Sequence, residues 1–295
     1  MSVPSQTSLP SLRVILFSNL AAEAATMLRG LLANMGQRVP LVVTTPGPSR
    51  RPNVAYRDYS AALPRGQDVL VTSHISLLPA ILAPLEPDLI FVAGFPWLLP
   101  AALLALPRLG CINAHPALLP RYRGPDPLFW AFANGETETG LTIHRMDASF
   151  DTGPILAQRT IPIAPEDDVD TIFPKLTATG AELLPEALAK VAAGEPGIPQ
   201  PSEGASYARL TRDDDRRLDW GRPATELRNR VRACASRGAL AEVDGNRLIV
   251  RRARVVDAVP SAAPGTVLDE APLIVQTGDG ALLLEDAVPA EEVDG

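Results

Sequence analysis

The first 115 residues alternate short, wholly apolar runs with stretches of helical spacing, and this alternation restricts the fold more than any other feature. "RVILFSNL" (13–20) reads as a buried strand, and "AAEAATMLRGLLANMG" (21–36) follows with Ala, Met and Leu at helical intervals. "VPLVVTT", "GQDVLVTS", "PDLIFVAGF" and "GCINAH" read as further strands, with "LLPAILAPL" and "PAALLALPR" as short helices between them. Apolar runs such as "DLIFVA" belong to strands covered on both faces. The sequence therefore predicts an α/β fold: a Rossmann-like, doubly wound, mostly parallel sheet with helices on each side. Further on, "DPLFWAFANG" reads as a helix, "TGLTIHRMD" and "GPILAQRTIPI" as strands around the loop "ASFDT", and 168–194 as helical.

A polar, Pro/Gly-rich stretch then marks a boundary. The chain reads as a catalytic domain over 1–193, a linker over 194–206 and a smaller β-rich, barrel-like domain over 207–295, where "VDGN" signals a hairpin. Composition, with 46% hydrophobic and 21% charged residues, is that of a soluble globular protein. No apolar run approaches the roughly 20 residues of a membrane span. The N-terminus has no charged region ahead of an apolar stretch, so no signal peptide and a cytoplasmic location are expected. Cys111 and Cys234 lack metal-ligand or redox spacing and read as free thiols; no metal is expected.

The turn after the first strand, "FSNLAAEA", holds no glycine, which removes the dinucleotide fingerprint. No phosphate-binding G-x-x-x-x-G-K-[ST] loop, G-x-S-x-G elbow or H-E-x-x-H helix is present either. In doubly wound sheets ligands sit at the carboxyl ends of strands. Three segments fall there: "AGFPWLLP" (93–100), "NAHPALLPRYRG" (113–124) and "DASFDTG" (147–153). Asn113 and His115, two apart on an extended segment, share one face. With Asp151 they suit attack of a nucleophile on a carbonyl-like carbon. The amide donates to the oxyanion, the imidazole moves a proton, and the carboxylate orients or tunes the ring. The same residues also admit a plainer reading, as turn formers and caps in a proline-rich loop.

The stretches "PRLGCINAHPALLPRYRGPDP" and "GETETGLTIHRMDASFDTG" resemble the folate-dependent formyltransferases, closest in layout to methionyl-tRNA formyltransferases. The family's N-x-H, L-L-P, R-G and D-x-G elements are matched at Asn113, His115, Leu118–Pro120, Arg123–Gly124, Asp151 and Gly153. The resemblance extends to about residues 12–288, and the region beyond the linker resembles the family's OB-like domain. It implies 10-formyltetrahydrofolate as formyl donor and Asn113, His115 and Asp151 as catalytic residues. Its pterin would lie against the backbone of 93–100 and 147–151, with Phe95, Leu98, Thr142 and Asp147 as cofactor-binding residues.

Departures bear on the acceptor. The family's G-T-P-type turn is "FSNLA", its basic loop after the second strand is reduced to "PGPSRRP", its N-P-x-P-G segment is "CASRG", and the chain ends "AVPAEEVDG". Ala117 stands where the family has a serine. These favour a small-molecule amine, such as an amino sugar or an ornithine-like precursor, over initiator methionyl-tRNA. A formyltetrahydrofolate hydrolase is the weaker third reading. Against the preference stand nine arginines between Arg222 and Arg254, facing only three acidic residues. Arg228, Arg232, Arg251, Arg252 and Arg254 would make a phosphate-contacting patch, or else a solvated face.

Overall fold

A computed structural model describes residues 9–47, 55–257 and 262–290. The arginines of "PGPSRRP" and the last five residues lie outside that range. The chain forms two compact units. One comprises residues 1–123, 140–160 and 176–206; the other comprises 124–139, 161–175 and 207–295.

The larger sheet has seven strands: β1 (Val14–Ser18), β2 (Leu41–Thr44), β3 (Asp68–Val71), β4 (Leu89–Ala93), β5 (Cys111–His115), β6 (Glu138–Arg145) and β7 (Ile155–Pro162). Their order is β3-β2-β1-β4-β5-β6-β7. The first five run parallel, and β6 then pairs antiparallel with β5. The order reverses beside β1, the switch point at which doubly wound sheets open a ligand crevice.

Period-two alternation puts Ile15, Phe17, Leu41, Val43, Ile90 and Val92 in one core cluster. Leu78 and Leu82 of helix α3 (Leu78–Leu82) and Leu103 of α4 (Ala101–Leu104) join it. Val14, Leu16, Val42, Leu89 and Phe91, pointing the other way, are buried too, so these strands are apolar throughout. Fully burying a side chain of this size contributes about 1.5–3 kcal/mol. The strand ends that carry the candidate site are therefore held on a rigid base. Helix α1 (Ala22–Asn34) and, after β7, helix α6 (Phe173–Ala192) fulfil the sequence expectation; α2 (Tyr59–Ala62), only one turn long, had no periodic signal.

The second unit contains α5 (Pro127–Ala133), α7 (Ala224–Cys234) and a five-stranded antiparallel sheet ordered β10-β11-β12-β9-β8. Its strands are β8 (Ala239–Val243), β9 (Asn246–Val256), β10 (Val267–Glu270), β11 (Leu273–Gln276) and β12 (Ala281–Pro289). Asp244 and Gly245 turn the β8–β9 hairpin with φ of 49° and 77°, the paired positive values a two-residue hairpin turn requires.

Arginines and aromatic rings hold this unit together. Arg230 and Arg232 of α7 lie over Phe129 and Phe132 of α5, and Arg209 lies 4.7 Å over Trp130. Arg232 also donates to the carbonyls of Ala164 and Asp167, and Arg228 donates to that of Pro165. The guanidinium groups of Arg228 and Arg232, expected to face phosphates, are thus directed at the 164–167 loop, whose carbonyls lack partners in regular structure. Arg252 and Arg254 remain exposed on β9, both facing Glu285 on β12.

Candidate active site

The three residues singled out by motif converge. Asn113 Nδ2 donates to Asp151 Oδ1 at 3.1 Å, and His115 Nδ1 stands 3.5 Å from Asp151 Oδ2. A fourth residue, which sequence reasoning did not select, completes the cluster. His144 Nε2 lies 3.3 Å from Asn113 Nδ2 and 3.3 Å from Asp151 Oδ1. The register explains this. In the β5–β6 ladder Asn113 faces His144 and His115 faces Thr142. Directly opposed residues share a face, so four polar side chains line one side of a single strand pair. The side chains of His115, His144 and Asp151 are only 5%, 2% and 11% exposed.

Carbonyl partners orient both rings. His115 Nε2 meets the Tyr122 carbonyl at 2.8 Å, and His144 Nδ1 meets the Arg145 carbonyl at 2.8 Å. A carbonyl only accepts, so those nitrogens carry the hydrogens, and each ring turns its other nitrogen toward Asp151. A carboxylate between two such nitrogens favours taking up a proton into the cluster. Burial nevertheless pushes the His115 pKa below its usual value; the Asp151 charge pulls it up, and His144 pushes it further down. Burial thus favours the uncharged form of His115, the form able to accept a proton. Asn113 directs both Nδ2 hydrogens at Asp151 and His144, so donating to an oxyanion means exchanging one of these contacts, the longer being that to His144.

Local backbone geometry sets the cluster. Asp151 takes a left-handed conformation, φ 54°, so the sharp turn falls on the acid itself. Gly153 acts by close approach: a Cβ there would lie 1.9 Å from the Arg145 carbonyl oxygen, the same oxygen that orients His144. Tyr122, φ 57°, turns its carbonyl back onto His115.

The residues expected to hold the pterin differ in their surroundings. Phe95 is partly buried, its ring 5.1 Å from that of Phe17, while Leu98 is 41% exposed. Thr142 is fully buried; its hydroxyl donates to the Ala117 carbonyl and accepts from Gln158 Nε2, an arrangement that shapes the loop following His115. Asp147 accepts from the Ser149 amide and the Thr152 hydroxyl, closing its own turn. Among the described residues no group of His, Cys, Asp and Glu is arranged to hold a metal ion, and both cysteines are buried free thiols. No helix among them is long and apolar enough to cross a membrane.

A doubly wound sheet with a half-buried carboxamide and carboxylate beside two buried imidazoles at its strand ends has the groups that acid–base group transfer requires. Comparison with known proteins specifies the group. Residues 71–188 match the formyl transferase family and residues 211–292 match the formyl transferase C-terminal domain. The methionyl-tRNA formyltransferase of Pelobacter propionicus is 38% identical over 286 residues, covering 94% of this chain and 88% of the relative. That of Myxococcus xanthus is 42% identical over 234 residues, covering 77% and 74%. The chain belongs to the formyltransferase family and is a formyl transferase. Solved structures share the fold. HypX from Aquifex aeolicus in complex with tetrahydrofolic acid superposes with a TM-score of 0.68 at 22% identity, covering 96% of this chain, which spans about half (47%) of HypX. The sugar 3N-formyl transferase WlaRD superposes with a TM-score of 0.63 at 14% identity, covering 92% and 96%.

Proposed function

We propose that the chain moves the formyl group of 10-formyltetrahydrofolate to a primary amine, and that this amine is the α-amino group of methionyl-tRNA. The convergence of Asn113, His115 and Asp151 on one strand-end shelf carries the first part. Identity of 38% to a methionyl-tRNA formyltransferase across 94% of the chain, against 14% for a sugar enzyme over a similar share, supports the second. It outweighs the sequence departures that favour a small amine.

The residues present fit the donor. A carboxamide and an imidazole suit a formyl carbon bonded to nitrogen, and exposed Leu98 and Phe150 give apolar surface on the two loops assigned to the pterin. The donor supplies an activated one-carbon unit. His115 Nδ1 takes a proton from the attacking amine and passes it toward the departing nitrogen. Asn113 exchanges its contact to His144 for the formyl oxygen as that atom gains charge. Asp151 stabilises the imidazolium while it lasts.

The missing glycine turn and reduced basic loop keep one second reading in view, formylation of a small amine such as an amino sugar. Supplying the donor with initiator methionyl-tRNA, with nucleotide-linked amino sugars, and with hydroxyornithine separates the two, read by the mass gain of the product. Formylation of methionyl-tRNA that weakens steeply between 50 and 200 mM salt is expected. Turnover of a small amine with untouched methionyl-tRNA would reverse the acceptor assignment.

A further inference from the structure

The segment 194–206, which reads as a linker, contributes directly to the geometry of the site. Gln200 uses its whole hydrogen-bonding capacity there. Its Nε2 donates to the carbonyls of Asp151 and Gly153, both at 2.8 Å. Its oxygen accepts two bonds from the Arg123 guanidinium, at 3.0 and 2.7 Å. Six residues on, the Ser206 hydroxyl accepts from the Tyr122 amide at 2.8 Å, and it is the Tyr122 carbonyl that holds His115. One short stretch thus clamps the backbone behind the acid and the backbone behind the base.

We infer that Gln200 is a positioning residue for catalysis, holding the 151–153 backbone in the conformation that presents the Asp151 carboxylate to His115. This rests on the reading of Asp151 and His115 as the acid–base pair. The physical case is that Asp151 sits in a left-handed conformation that a non-glycine residue adopts only when its surroundings impose it. Two amide hydrogens on the flanking carbonyls are such an imposition. A purely structural alternative also exists: Gln200 could simply tie the segment down through Arg123.

The substitution Gln200→Glu separates the alternatives. A carboxylate keeps the acceptor for Arg123, so attachment of the segment and Tm should be retained. It loses both donors and places negative oxygens against two carbonyls, so the 151–153 turn is released. Only three histidines exist in the chain, which allows the His115 ring to be titrated directly by NMR without any substrate. The groups facing His115 are Asp151, His144 and the Tyr122 carbonyl; retreat of Asp151 leaves the other two in place. The His115 midpoint should therefore fall by at least about half a pH unit in Q200E, in the same sense as in D151N. The kcat for formyl transfer should drop at least about tenfold with little change in acceptor KM.

Gln200→Ala provides the same readings should Q200E fail to fold. An unchanged His115 midpoint in a folded Gln200 variant, while D151N moves it, would overturn the inference, as would a kcat loss that merely tracks a lowered Tm. No shift in D151N would remove the Asp151–His115 coupling on which the inference stands. Because the titration needs no acceptor, a wrong acceptor assignment would leave this result intact.

Discussion

Asp151→Asn removes one charge and almost no volume from the centre of the cluster. The neutral side chain retains a carbonyl oxygen for the Asn113 Nδ2 bond, so the turn should hold and Tm should stay close to that of the parent. What changes is the field at His115. At the 3.5 Å separation of Asp151 Oδ2 and His115 Nδ1, Coulomb's law with an effective dielectric constant near 20 gives a ceiling of about 5 kcal/mol. At about 1.4 kcal/mol per pH unit this caps the effect at about 3.5 pH units, and neighbouring charges of this kind act over about 1–3. The sign follows from the role of His115 as a base. Only its neutral form works, so kcat/KM declines as pH falls through its pKa, which burial already sets below the usual 6.5. Without the Asp151 anion the imidazolium is less favoured still, and the acid limb should move further down by about one pH unit or more. Simultaneously kcat should fall about 10²-fold or more, because the imidazolium formed during proton transfer loses its counter-charge. Stopped assays of donor consumption from pH 4.5 to 8, with product mass measured at each point, read both effects. An unmoved acid limb together with kcat within threefold of the parent would refute the reasoning.

His144→Gln should shift the same limb the other way, toward higher pH, because His144 pushes the His115 pKa down; the pH profile of kcat/KM checks the direction. Gly153→Ala drives a Cβ into the Arg145 carbonyl and should lower stability by about 1–3 kcal/mol in denaturant melts while reducing kcat, as the backbone behind both Asp151 and His144 shifts. Arg232→Leu removes the guanidinium donor from the Asp167 carbonyl and from that of Ala164, which keeps the Asp167 amide, and should cost about 1–3 kcal/mol of stability, with the pH profile of catalysis unaltered.

The parallel part of the sheet was legible because its strands are apolar on both faces and its helices fill the intervals. Asn113 and His115 were legible because two residues apart on a strand means one face. The antiparallel turn of β6 was not, since strand–helix alternation carries no direction. His144 was missed although "TGLTIHRMD" holds the signal: Thr142 and His144 alternate exactly as Asn113 and His115 do, and an antiparallel pairing aligns the two sets. Gln200 and Ser206 had no local signal at all, because their partners, backbone groups and the Arg123 side chain, lie about 50 to 80 residues away. The carbonyl and ring contacts of the α7 arginines were hidden for a related cause. Charge counting sees acidic side chains but not the loop carbonyls and ring faces that these guanidinium groups cover.

The pairing of β5 with β6 also governs which changes in length the chain can absorb. A strand that slips by one position turns every side chain to the opposite surface. Removing one residue within 138–141, with the strand slipping to close the gap, would point both His144 and Thr142 away from Asn113 and His115. Adding several residues at the exposed tip near 147–150 would leave that alignment alone. Insertions at the tip are therefore compatible with an intact catalytic face, and a single deletion inside the ladder is not.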